Sequence, residues 1–158
     1  MRNDTRLSRM LHVLIHMDRH QQSATSDTIA QMLGTNPVVV RRTMALLKEQ
    51  GYVTSEKGHR GGWSLSKPLS EMTLLDIHQA LGNTTIFAIG LSTDHPQCLV
   101  EQAVNAALTD AFDEAQALLL KRLGSITLAQ LAEDFDQRFR EGCGAGTDGL
   151  SPVERNGH

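Results

Sequence analysis

Lys57, His59 and Arg60 crowd one short stretch of chain, interrupted and followed by Gly58, Gly61 and Gly62. Cations on a glycine-rich backbone suit contact with phosphates. An arginine with glycines close on both sides can also enter a narrow minor groove, where the negative potential is strongest. A second group lies upstream: Asn36, Pro37, Val38, Arg41 and Arg42. Arginine can bridge guanine O6 and N7, asparagine can pair with adenine, and a valine can touch a thymine methyl. Together the two groups imply contact with double-stranded DNA. Arg41 and Arg42 alone would also fit an ordinary solvated helix face, but their place just after a helix cap favours contact.

Both groups need elements to hold them. Leu7, Met10, Leu11, Leu14 and Met17 recur at helical spacing and predict an amphipathic helix over residues 4–19. Its opposite side carries Arg9, His12, His16 and His20. A second helix is expected from about Ser26, with the Ser26 hydroxyl as its cap and Ile29, Met32 and Leu33 turned inward. Gly34 ends it. Asn36 followed by Pro37 is a restart signal, a cap and then a first-turn proline. The third helix should run to about Gln50, bury Val40, Met44 and Leu47, and stop at Gly51. One of Val38 and Val39 could serve that core instead of facing outward. Residues 52–55 and 63–66 are β-prone and flank the glycine-rich tip, which predicts a hairpin. Trp63 is expected to anchor that hairpin on the third helix. Arg6 and Arg9 are weaker candidates for backbone contact.

Past Pro68, Thr73 and Asp76 have the spacing of a capping box and start a helix through about Leu81. Residues 82–96 read as a connecting loop in which Ile86, Phe87 and Ile89 should be buried. A long helix follows over 97–123, and Thr127 opens a last one carrying Leu128, Leu131, Phe135 and Phe139. Ala103, Ala107, Ala111 and Ala115 form a row of small residues with Leu108 beside it, a seam for close helix–helix approach and so for a homodimer. Residues 142–158 read as a disordered tail. The expected fold is mainly α with a small β-hairpin. It comprises a winged helix-turn-helix domain over 1–81, the loop 82–96, and the dimerisation and C-terminal helices over 97–141.

Composition narrows the classes further. The 158 residues are 40% hydrophobic with a net charge of −3. Residues 1–67 carry +5 and residues 68–158 carry −8, a basic half for a polyanion and an acidic half facing elsewhere. No apolar run could span a membrane, and the polar MRNDTRLSRM start lacks a signal-peptide core. Two cysteines, Cys98 and Cys143, are too few for a disulfide scaffold. A cytoplasmic protein is expected. No nucleophile elbow, phosphate loop or pair of carboxylates points to an enzyme.

The run from the first helix through VRR, EQGYVTSEKGHRGGWSLSK and MTLLDIHQAL resembles the bacterial Rrf family of winged-helix repressors (IscR, NsrR and CymR type). The resemblance covers about residues 1–140, and RGGW stands for the family's glycine-rich stretch ending in an aromatic. It implies a homodimer with crossed long helices that binds an operator and represses transcription. Cluster-holding members place three cysteines in the loop and at the start of the long helix, whereas residues 92–106 contain Cys98 alone. No iron–sulfur cluster and no other cofactor are expected. A cluster bridging two protomers through paired Cys98 and histidines has no support in the sequence.

The signal is open. Cys98, following His95-Pro96 at a helix start, is a candidate thiol sensor, although a small buried residue is the more ordinary reading. His12, His16 and His20 have chelating spacing, but no carboxylate completes the set, and a solvated face is the stronger reading. Phe87, Ile89 and Leu91 could line a small-molecule pocket. The leading reading is a dimeric, sequence-specific DNA-binding regulator. The alternative is a winged-helix module that binds protein and not DNA, against which the basic tip argues.

Overall fold

A computed structural model describes residues 4–21, 23–59, 61–82 and 86–144. Helix α1 (Arg6–His20) buries Met10, Val13, Leu14 and Met17 and leaves His12 and His20 in solvent. Helix α2 (Ser26–Leu33) is capped one residue earlier than the sequence suggests: the Thr25 hydroxyl accepts the Thr28 N–H. Ser26 is free for another role because four cap-competent residues stand in a row at positions 25–28, and spacing alone cannot rank them. Ile29 and Ala30 fill the buried side of α2, while Met32 lies outside. Gly34 ends the helix at φ 60°, a conformation that strains any residue with a Cβ.

Helix α3 (Pro37–Glu49) starts as its residues require, with Asn36 Oδ1 accepting the Val38 N–H at 2.8 Å and Pro37 in the first turn. Val40, Thr43, Met44 and Leu47 pack inward. Strands β1 (Val53–Glu56) and β2 (Gly62–Leu65) pair antiparallel, with Val53 opposite Leu65 and Glu56 opposite Gly62. The hairpin is thus shifted by one residue from the expected strands.

A single 3-10 turn (Leu69–Glu71) precedes α4 (Leu74–Ala80), whose capping box forms in full. The Asp76 N–H donates to Thr73 Oγ1 at 3.1 Å and the Thr73 N–H to Asp76 Oδ2 at 2.9 Å. Helix α5 (Leu99–Gly124) has 26 residues, about 39 Å of length, and buries none of them. Helix α6 (Leu128–Gly144) continues past Gly142, where a tail was expected; residues 145–158 lie outside the described residues. Gln130 and Thr127 cap it reciprocally.

The core is one cluster. Val13, Leu14, Ile29, Val40, Met44, Leu47, Val53 and Ile77 are closed at one end by Met72 and Leu128. Leu128 reaches it because the chain returns after α5: the Leu74 N–H donates to Ile126 O at 3.0 Å and the Leu128 N–H to Met72 O at 2.8 Å. Phe87 is half-buried and stacks on Phe112 of α5 at 5.9 Å between centroids. Ile89, expected inside, is 65% exposed.

On the outer side of α1, the His12 and His16 rings lie 4.7 Å apart, and His16 and His20 6.1 Å apart. Arg19 pairs with Asp136 of α6 and lies over the Phe135 ring. Burial lowers the His16 pKa below the ordinary 6.5, with repulsion from His12, His20 and Arg19 adding to it. Folding therefore favours neutral His16, and its contribution to stability is present above pH 6.5 and lost as pH falls below it. The thermal midpoint should drop across that window, and His16→Gln should flatten the drop. An unchanged profile in the variant would assign the acid sensitivity elsewhere.

Candidate nucleic-acid interface

The cap at Asn36 sets which side of α3 faces outward. With Val40, Thr43, Met44 and Leu47 inside, Val38, Arg41, Arg42 and Ala45 are left on the surface. Val38 and Val39 are 46% and 49% exposed, so neither serves the core. Pro37 is half-buried and Asn36 exposed. No acidic residue stands in the first turn of α3.

The hairpin projects Lys57 and His59 into solvent. Gly58 allows the turn at φ 108°, and its carbonyl accepts the Gly61 N–H at 3.0 Å. Arg60 lies outside the described residues. Gly61 and Gly62 answer to close packing. A Cβ on Gly61 would stand 2.3 Å from Glu56 O, and one on Gly62 2.8 Å from Ala24 O.

The second contact explains how the wing is held. Ala24 and Trp63 exchange backbone hydrogen bonds, Ala24 N–H to Trp63 O at 3.0 Å and Trp63 N–H to Ala24 O at 2.8 Å. The Trp63 indole N–H donates to Ser26 Oγ at 3.0 Å. Trp63 therefore anchors the wing to the start of α2, not to α3 as expected from sequence. From α3, Lys48 Nζ donates to Ser55 Oγ of β1 at 2.7 Å. Lys67 lies over the Tyr52 ring at the hairpin's root, 5.2 Å from its centroid. Burial, together with the Asp76 carboxylate, raises the Tyr52 pKa. Sequence reasoning missed the pairings of Ala24 and Ser26 with Trp63, which join residues far apart in the chain and leave no periodic trace, and that of Lys48 with Ser55, which depends on how α3 meets β1.

Arg6, a weaker candidate, is already engaged: its guanidinium donates to Asp4 at 2.8 and 3.1 Å. The pair raises the Arg6 pKa and lowers that of Asp4. Arg9 stays exposed.

A match to known proteins accords with this geometry. The model of the family Rrf2, described as "Iron-dependent Transcriptional regulator", matches residues 3–134. The chain belongs to the Rrf2 family of transcriptional regulators. These are regulators, not enzymes. The chain is 34% identical over 128 residues to "Putative HTH-type transcriptional regulator YwnA" of Bacillus subtilis, covering 79% of this chain and 92% of that protein. It superposes with a TM-score of 0.70 and 26% identity on a structure from Lactobacillus plantarum described as a "putative transcriptional regulator", over 87% of this chain and 98% of that one. IscR of T. potens, at 18% identity, shares the fold with a TM-score of 0.65, over 87% of this chain and 90% of that one.

The family description names iron. An iron–sulfur cluster needs several thiolates. Cys98, the N-cap residue of α5, is exposed rather than packed, contrary to the more ordinary expectation. The one other cysteine of the chain, Cys143, falls in α6. Among the described residues no three His, Cys, Asp or Glu side chains are grouped to hold a metal. The donor set within one chain does not fit such a cluster. The loop before α5 is well tied, with the His95 N–H donating to the Glu101 carboxylate at 3.1 Å and Asn105 Nδ2 to Ser92 O at 2.8 Å. Ile89 and Leu91 face solvent, too open to line an enclosed pocket within the chain. No helix among the described residues is long and apolar enough to cross a membrane.

Gly62→Ala should force the wing off Ala24 and cost about 1–3 kcal/mol of stability, as overpacking does. Trp63, the only tryptophan, reports it directly. Its emission should shift to the red with helix content unchanged. An unaltered spectrum would show that the wing tolerates the extra methyl.

Proposed function

We propose that the chain is a homodimeric, sequence-specific DNA-binding repressor that works without an iron–sulfur cluster. One observation carries the reading: α3 turns Val38, Arg41 and Arg42 outward while the neighbouring hairpin presents Lys57 and His59. A helix entering a major groove and a cationic tip beside it would engage adjacent parts of one duplex. Asn36, Pro37, Gly61 and Gly62 set the geometry of these two elements, and Arg60, between His59 and Gly61 in the sequence, is a further cation for the contact. The family membership supports transcriptional regulation as the outcome.

The dimer reading rests on α5. Leu99, Val100, Val104, Leu108, Leu118 and Leu119 are exposed among Ala103, Ala107, Ala111 and Ala115. Apart from Phe112 and its C-terminal end, the helix leaves apolar residues on more than one side uncovered by the described residues of its own chain. A second copy of α5 would cover it and set two reading heads at a fixed separation. Exposed Cys98, at the start of the same helix, is positioned to respond to oxidants or electrophiles.

Binding of duplex DNA should weaken steeply as salt rises, because contacts to phosphate release counterions. Arg42→Ala should lower the affinity and, if Arg42 meets phosphate, reduce the salt slope by about one. A flat response to salt would refute DNA binding and favour a protein-binding module. Ala107→Glu places a charge in the proposed seam and should yield monomers by light scattering. A variant that stays dimeric would move the interface off this face.

A further inference from the structure

The outward face of α3 carries more than charge. At about 100° per residue, the direction opposite the buried side runs through Val38, Arg42 and Ala45, with Val39 on its flank. Two β-branched apolar residues therefore stand half in water at the front of a helix whose core side is already closed by Val40. Among the described residues nothing covers the exposed half of either.

Two uncharged polar side chains here, Asn36 and Thr43, are otherwise engaged. Asn36 Oδ1 turns back to accept the Val38 N–H, so it is not directed outward to receive the N6 amine of adenine in a two-bond pair. The Thr43 hydroxyl donates to Val39 O at 2.9 Å. With no acid in the first turn, no carboxylate is present to accept from cytosine N4. What the first turn offers is methyl groups. In the major groove, thymine alone of the four bases presents a matching one, on C5.

We propose that Val38, with Val39 beside it, reads thymine C5-methyl groups in the operator. The proposal rests on the DNA-binding reading above and narrows it. Preference at the base steps under the first turn of α3 comes from apolar contact, not from Asn36 pairing with adenine. Arg41 and Arg42 act one turn further on, at guanine or phosphate.

Deoxyuridine tests this directly, since it pairs like thymidine and lacks only the methyl. Random 30-base-pair duplexes would be selected on the full chain, and the enriched duplex resynthesised with uracil at one thymine at a time. Uracil should weaken binding about fourfold at one or two positions per half-site, the effect of one buried methyl. Val38→Ala should bind the thymine and uracil duplexes alike at the Val38 position, whereas Arg42→Ala should weaken both equally. Equal binding of every uracil duplex by the unaltered chain, with salt dependence intact, would overturn methyl reading and leave DNA binding standing. Failure to enrich any duplex, with binding insensitive to salt, would remove both. Val38 and Val39 are exposed, so Val38→Ala and Val39→Ala should melt with the unaltered chain, and a loss of affinity would not reflect unfolding.

Discussion

The close approach of Gly62 to Ala24 governs the geometry of the whole interface. Two backbone hydrogen bonds between Ala24 and Trp63 make the link between α1 and α2 a third, one-residue strand against the hairpin. That contact exists because Gly62 has no side chain to keep Ala24 O away. A two-stranded hairpin alone is marginal in water. Here it is fastened near its loop end to Ala24 and, through Trp63 and Ser26, to the first turn of α2. Lys48 fastens its other strand to α3. The wing and α3 are thereby joined, and the cations on each keep a set separation.

The second constraint is the return of the chain to the core. Leu128 is fully buried beside Met72, and backbone hydrogen bonds near Thr73 and Thr127 close the junction. This seats α6 against α1, where Arg19 meets Phe135 and Asp136. It also leaves α5 as a long excursion whose C-terminal end is held to the α4 region. Gly124 at its end lies against Leu75, where a Cβ would come within 3.2 Å of that side chain. The next residue, Asp76, sets its carboxylate beside Tyr52 at the root of the wing.

Charge and apolarity are divided along the same line. The basic half holds α1 to β2, and the acidic half holds α4 to α6. Acidic α5 and α6 would be repelled by a polyanion, which helps orient the molecule as well as attract it. The apolar residues of α5 belong to the other requirement, that of a protein surface to cover them.

The sequence by itself determined the elements and their order. Local signals carried these: the stripes of α1 and α3, Asn36-Pro37, the Thr73–Asp76 box and the glycines of the hairpin. Each acts within a turn or two of its own residue, so it can be read without the rest of the chain. The outward cations of the candidate interface were legible for the same reason. What only tertiary structure decided were choices between equivalent residues and partners distant in sequence. Thr25 took the cap and left Ser26 to Trp63; Val38 and Val39 both stayed out of the core; Ile89 remained in solvent. Trp63 went to α2 because the bridge through Ala24 brought it there, and no spacing within the chain records a contact across 37 residues.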